Sequence, residues 1–268
     1  MIKPRVTKPF GVSVVIPTFD RPEVLRAVDS VASASPDNVE IIVVDDASKV
    51  DVRSFLPRRN SHSIRIRSYR LETNGGPQVA RNLGIRRASF QYVAFLDSDD
   101  EFHPTKMDRV FDRLNRGDVD VLYHAASGLE RYNRIGRFWR RFVRPVIPFA
   151  WWAAMLNPIG TPTLIVRRKA RLGPPRLRHC EDYGFLLRYC GSGVKVDYLD
   201  EDLATVHRRP GTVGGLSGEL WAMRKGEFAA RRVLLKDPGL SSIPRFLIGT
   251  ACGCIRVGAD VLRARYWR

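Results

Sequence analysis

Two clusters of carboxylates stand out in this chain. Asp97-Ser98-Asp99-Asp100-Glu101 places four acids within five residues, and Asp45-Asp46 pairs two more. Each follows a short apolar run, YVAFL at 92–96 and VEIIVV at 39–44. Asp97 and Asp99 are two residues apart, so on an extended chain they project to the same side. Carboxylates converging there repel one another unless a proton or a cation lies between them. Hard oxygen ligands suit Mg²⁺ or Mn²⁺, and Mg²⁺ commonly shares its coordination shell with substrate phosphates. The bland alternative is an Asp-rich turn capping a helix predicted from Pro104. A third acidic pair, Glu181-Asp182, opens a predicted helix over 180–190, where the helix dipole alone would favour it.

The elements that must hold these residues read as follows. VSVVI at 12–16, stopped by Pro17, is a buried strand. A helix begins at Pro22, with Val24, Leu25, Val28 and Val31 on one face and Asp20 as a cap. Strands follow at 39–44, 64–69, 92–96 and 119–124, with helices at 77–88 and 104–114 between them. Alternation of this kind means βαβ units and a parallel sheet. Ligands bind such sheets outside the carboxyl ends of the strands, where both acidic clusters fall. Beyond 124 the pattern loosens. Residues 151–165 are an apolar run broken by Pro and Gly, 194–199 reads as a strand, and 211–218 as a Gly-rich loop. Helices are expected at 220–236 and 244–267, separated by a turn at 237–239.

Composition narrows the classes. The 268 residues carry 45 Lys and Arg against 28 Asp and Glu, a net charge of +17, with 44% hydrophobic residues. That apolar fraction excludes a disordered chain. Only eight of the basic residues are Lys. An Arg-rich surplus favours an anionic partner, whether nucleic acid, a membrane surface or a phosphorylated substrate. Cys180, Cys190, Cys252 and Cys254 have no zinc-ligand spacing and are expected to be buried thiols. No apolar segment follows the basic residues of 1–10, and no run of about 18 apolar residues occurs. A cytosolic location is therefore expected.

The pieces together resemble family 2 glycosyltransferases of the GT-A fold, the inverting sugar transferases. The matching segments run in order: VSVVIPTFDRPE (12–23), EIIVVDDAS (40–48), NGGPQVARNLGI (74–85), YVAFLDSDD (92–100) and EDYGFLLR (181–188). The resemblance covers roughly residues 10–210. It implies an α/β fold with a mostly parallel central sheet flanked by helices, and a C-terminal helical tail. It divides the chain into a transferase domain over 1–218 and an extension over 219–268. Within the domain, 10–125 would bind the nucleotide sugar and 126–218 the acceptor.

The resemblance also implies roles. Pro17 and Thr18 would lie against the nucleotide base, and Asp45 would accept its N–H. Arg81 would sit near the nucleotide. Asp97, Ser98 and Asp99 form the D-x-D segment at ribose and metal, extended by Asp100, and His207 would contact metal or diphosphate. Asp182 would be the general base, Glu181 an acceptor-site residue, and Gly160 and Thr161 would line the acceptor pocket. The cofactors implied are Mn²⁺ or Mg²⁺ and a nucleotide sugar, with UDP favoured. A saccharide or lipid-linked saccharide is the implied acceptor. The Q-x-x-R-W motif of processive synthases is absent, which points to single additions. Asp20 stands where many relatives have Asn.

Arg131, Arg134, Arg137, Arg140, Arg141 and Arg144 interleave with Tyr132, Phe138, Trp139 and Phe142, with Trp151 and Trp152 following. Such a segment, and the last helix with Arg245, Arg256, Arg263, Arg265 and Arg268, reads as a contact for an anionic membrane on its cytosolic face. A solvated basic face over the core is the alternative. A nucleic-acid partner is not expected: acidic strand ends repel phosphate without a metal, and no nucleic-acid-binding motif is evident.

Overall fold

The fold comes from a computed structural model. It describes residues 9–33, 38–56, 64–168, 177, 179–191, 193–208, 212, 219–236 and 242–266, with side chains of the last helix described to 260. Continuous β-branched runs become strands buried on both faces. β1 (Val12–Thr18) and β2 (Val39–Asp45) have no exposed residue. β3 (Arg65–Arg70), alternating apolar and basic, is the half-exposed edge next to β2. β4 (Tyr92–Phe95) lies on the other side of β1, and all four strands run parallel.

The remaining strands extend one sheet in the order β3-β2-β1-β4-β7-β6-β8-β5. They are β5 (Glu101–Phe102), β6 (Val121–Ser127), β7 (Leu164–Arg167) and β8 (Val196–Thr205). β7 is antiparallel to both neighbours, and β5 is antiparallel to β8. The sheet therefore runs unbroken through both predicted halves, 10–125 and 126–218.

Helices cover both faces. α1 (Val24–Ala32) and α3 (Lys106–Asn115) bury their apolar stripes on one side, with Val14, Ile16, Ile41 and Val43. α2 (Pro77–Arg87) and α6 (Glu181–Tyr189) pack on the other, against Val15, Ile42, Val44 and Phe95. α2 approaches β1 very closely: a Cβ on Gly84 would lie 2.3 Å from Val15 Cγ1. Any side chain there would lift the helix off the sheet. α4 (Glu130–Phe138), continuing as a wider turn over Trp139–Val143, and α5 (Phe149–Met155) follow β6. α7 (Leu220–Arg231) and α8 (Ser242–Tyr266) pack onto α6 and α5.

Several expectations need correction. Pro17 does not end β1, which continues to Thr18. Backbone groups alternate sides along a strand. Val15 O faces β4, accepting from Leu96 N, and Thr18 O faces β2, accepting from Asp46 N. Pro17 therefore faces the β4 side, where pairing has already stopped at Val15, and its missing N–H breaks no ladder bond. β5, β7 and α5 were not separable in the sequence. Cys180 and Cys190 are buried, but Cys254 is exposed on α8. The expected turn at 237–239 and the Gly-rich loop, apart from Thr212, lie outside the described residues.

Candidate active site

A cleft of about 1000 Å³ opens outside the carboxyl ends of β1, β2 and β4. Eleven of the thirteen residues singled out above line it: Pro17, Thr18, Arg81, Asp97, Ser98, Asp99, Asp100, Gly160, Thr161, Glu181 and Asp182.

Strand parity explains which acids reach it. Val93 and Phe95 of β4 face α2, so Asp97, two residues on, continues that face. Ile42 and Val44 of β2 share it, and Asp46 follows in phase. Asp45 is out of phase. Its carboxylate is fully buried, accepting from Ser48 N at 2.9 Å and from Arg70 Nη1 at 2.8 Å. The structure thus corrects the placing of Asp45: it pins the end of β2 to β3, and Asp46 is the acid on the cleft wall. Asp46 accepts the backbone N–H groups of Gly75 and Gly76, both at 2.8 Å, and so fixes the loop before α2.

Arg81 joins the two sides of the cleft. It leaves α2 buried, with Nη2 2.6 Å from Asp97 Oδ1 and Nη1 2.7 Å from Glu181 Oε1. Burial alone would lower its pKa, and the Asp97 and Glu181 carboxylates more than reverse that. Glu181 is itself pushed upward by burial, with Arg81 opposing. Asp182, next along α6, accepts from Tyr183 N at 2.7 Å and from the Thr161 hydroxyl at 3.1 Å. Burial raises its pKa too, against the pull of Arg81 and these two donors. A carboxylate so placed is a stronger proton acceptor near neutral pH than an exposed aspartate. Cys180, which precedes the pair, has a left-handed backbone with φ 57°, a conformation a non-glycine residue adopts at some cost. It turns the chain into α6 and sets both acids on the cleft wall.

The acidic loop is held from outside. Arg26 Nη2 donates to Asp99 O at 3.1 Å, and β5 ties Glu101 to Thr205 of β8. Asp100 is buried and accepts His207 N at 3.1 Å. Burial and the charges of Asp97 and Asp99 push its pKa up to about 8. Asp99 lies partly open to the cleft, with Arg208 Nε 4.0 Å from its carboxylate. Burial and the neighbouring carboxylates oppose a bare negative charge on Asp100, and with Asp99 facing the cleft these oxygens are a donor set that fits a divalent cation. Among the described residues no three His, Cys, Asp or Glu side chains form a metal cage. Mg²⁺-type sites commonly take one or two carboxylates and complete the shell with water and phosphate. His207 does not line the cleft: its ring turns to the last acid of the cluster, with Nε2 2.6 Å from Glu101 Oε1, and its backbone N–H reaches Asp100.

Phe19, Tyr132 and His179 also line the cleft. Phe19 lies within the motif at 12–23, the signal that could have marked it, whereas Tyr132, read above as part of a membrane contact, turns instead to the cleft.

The family model described as Glycosyl transferase family 2 matches residues 13–171. A putative teichuronic acid biosynthesis glycosyltransferase, TuaG, of Bacillus subtilis is 38% identical over 197 residues, covering 72% of this chain and 77% of its own. An uncharacterized glycosyltransferase of Rickettsia felis is 29% identical over 246 residues; they make up 88% of this chain but 39% of that protein's length. Among solved structures, Staphylococcus aureus TarS 1–349 in complex with UDP-GlcNAc superposes with a TM-score of 0.66 at 19% identity. It covers 90% of this chain and 70% of its own. The mannosyltransferase PcManGT from Pyrobaculum calidifontis, in complex with GDP-Man and Mn²⁺, also gives 0.66, at 14% identity, over 99% of this chain and 85% of its own. At such identities the two structures speak for the fold alone.

Proposed function

The chain belongs to glycosyl transferase family 2 and has the GT-A fold, and from that premise we propose that it moves one sugar from a UDP-sugar to the hydroxyl of a saccharide or lipid-linked saccharide, inverting the anomeric carbon. The observation that carries this reading is the Arg81 fork, which sets Asp97 of the acidic loop and Glu181, beside Asp182, on one cleft. A reaction joining a diphosphate donor to a hydroxyl acceptor needs those two kinds of carboxylate side by side.

In this reading residues 10–125 bind the donor, 126–218 the acceptor, and 219–268 extend the fold. Pro17, Thr18 and Asp46 take the nucleotide end, since Asp45 is closed off. Asp97, Ser98 and Asp99 take the ribose and diphosphate. Asp99 and Asp100 would hold Mn²⁺ or Mg²⁺, which supplies positive charge against the leaving diphosphate. Asp182 removes the acceptor hydroxyl's proton as that oxygen attacks, and Thr161 orients the carboxylate. Gly160 and Thr161 form the acceptor wall beside it. The similarity to TuaG, a putative teichuronic acid biosynthesis glycosyltransferase, supports assembly of a bacterial surface polysaccharide or glycolipid.

A lipid-linked acceptor calls for a membrane contact at the cytosolic face. No helix among the described residues is long and apolar enough to cross a membrane. The exposed apolar residues that support a peripheral contact are Phe138, Phe142 and Val146 after α4, and Ile243, Leu247 and Ile255 on α8. Arg134, Arg140 and Arg141 are exposed beside the first set. Arg245 and Arg256, expected to face outward, do not. Arg245 is buried on the carbonyls of Ala150 and Cys190, and Arg256 pairs with Glu227. The outward stripe of α8 over 243–255 is therefore apolar, at spacings of four and eight residues; the side chains of Arg263, Arg265 and Arg268 lie outside the described residues.

The test is thermal unfolding with UDP or GDP, with and without Mn²⁺. UDP with Mn²⁺ raises Tm, and Asp99→Ala removes the metal dependence. No rise with either nucleotide overturns the reading; a rise without any sugar transfer reduces it to nucleotide binding.

A further inference from the structure

We infer that Lys106 is a positioning residue for the transfer: through the turn Thr161–Thr163 it fixes the hydroxyl that orients Asp182. The inference rests on the reading of Asp182 as the base.

Lys106 opens α3 and is fully buried. It forms no ion pair with a carboxylate among the described residues. Its Nζ donates to Pro162 O at 2.9 Å and lies 3.3 Å from the centre of the Phe102 ring. Burying an amine without a counter-charge is costly, and a methionine would fill the space without that cost. The polar group that accepts from it is the Pro162 carbonyl.

That carbonyl belongs to a single buried 3-10 turn that leads directly into β7. Thr163 closes the turn on itself, its N–H and hydroxyl both donating to Gly160 O, at 3.0 and 2.8 Å. On one side Gly160 rests against Leu129, where a Cβ would come within 2.5 Å of Cδ1. Lys106 secures another. The residue before Pro162 is Thr161, whose hydroxyl donates to Asp182 Oδ2. The other carboxylate oxygen is held by the α6 backbone at Tyr183 N. The orientation of Oδ2 thus involves Thr161, and Lys106 helps to place Thr161 by gripping the carbonyl of the next residue. Phe102, the other contact of Lys106, is in β5, directly after the acidic loop. The lysine therefore fastens the base-orienting turn to the wall carrying Asp97 and Asp99.

Two readouts test this. Lys106→Met keeps the stem and deletes the donor, and Lys106→Gln restores an N–H. In unliganded protein, hydrogen exchange at the Thr163 amide should quicken about tenfold in Lys106→Met, and most of the protection should return in Lys106→Gln. The probe reaction is UDP release from UDP-glucose, UDP-galactose or UDP-GlcNAc with Mn²⁺ and water as acceptor. Lys106→Met should lower kcat about tenfold to a hundredfold, with the donor KM within about twofold. Thr161→Val should do the same, and the double variant should be no worse than the weaker single variant. Should Lys106→Met not fold, Lys106→Leu, which also deletes the donor, completes the cycle with Thr161→Val. Additive losses, a change confined to KM, or unaltered exchange overturns the inference. Absence of UDP release from wild type overturns the transfer reading itself, while exchange still decides whether Lys106 anchors the turn.

Discussion

Arg81 and Glu181 meet at 2.7 Å although 100 residues separate them, and the same guanidinium holds Asp97 at 2.6 Å. One side chain thereby sets the distance between the acidic loop after β4 and the acidic pair opening α6. A lysine could not do this, because an ammonium lacks the planar fork that reaches two carboxylates in fixed directions.

Arg81→Met should destabilise the protein by about 3–5 kcal/mol, because Glu181 is left buried without its partner. The sign of the pH effect follows from Glu181. Burial raises its folded pKa, so the folded state prefers it protonated, and without Arg81 that preference grows. The deficit should be smallest below the ordinary Glu pKa and widen as pH rises through the raised value. Urea unfolding of both proteins at pH 5 and pH 8 checks this; an equal deficit at both refutes it.

Asp182→Asn keeps an oxygen to accept from Thr161 but cannot take a proton. UDP release with sugar transfer should fall by about 10²–10⁴, while calorimetry shows UDP binding unchanged. Turnover near wild type would remove Asp182 from the role of base.

Burial holds the pKa of Lys106 well below that of an exposed lysine. Between the two values the unfolded chain binds a proton that the folded chain lacks. Stability therefore rises with pH toward the ordinary lysine value of about 10.4, and is lost as pH falls through the same window. Relative to Lys106→Met, the wild type should gain stability between neutrality and pH 10. A pH-independent difference in denaturant midpoint would show Lys106 to be charged in place.

Phe142→Glu and Leu247→Glu should each weaken co-sedimentation with vesicles of phosphatidylglycerol and phosphatidylcholine by about tenfold or more, from lost apolar burial of about 1.5–3 kcal/mol. Arg140→Glu should weaken it less and only at low salt, since screening removes the charge effect. Wild type that stays in the supernatant at low salt ends the membrane reading.

Much of this is readable in the sequence because β1, β2 and β4 are buried on both faces and two of them, β2 and β4, lead into acids. The runs at 12–16, 39–44 and 92–96 each fell within a residue or two of the observed strand ends. β7 was missed because its four residues merge with the apolar run before them, and only pairing with β4 and β6 makes them a strand. Asp45 was placed at the cleft because two adjacent acids look equivalent in a sequence. Counting parity back along β2, from Val44 and Ile42, would have separated them. His207 was misplaced for a different reason: its role turns on a partner, Glu101, that is 106 residues away. Nothing local distinguishes a ring facing a ligand from one facing a neighbour. For Lys106 the sequence shows a lysine at the start of a helix, ordinarily a solvated position, and only tertiary packing buries it.

The position of β7 also governs how the chain can be built. Only the two-residue β5 separates β4 from β6 along the strand order of the chain, yet the two do not pair; residues 164–167 wedge between them. A nascent chain that has emerged as far as 127 holds two strands with unsatisfied edges facing each other across a gap. It must wait for some forty more residues before either is sealed. Open edges of that kind recruit other chains. A gene fragment ending near residue 125 would therefore deliver an adhesive half-sheet, not a small nucleotide-binding module.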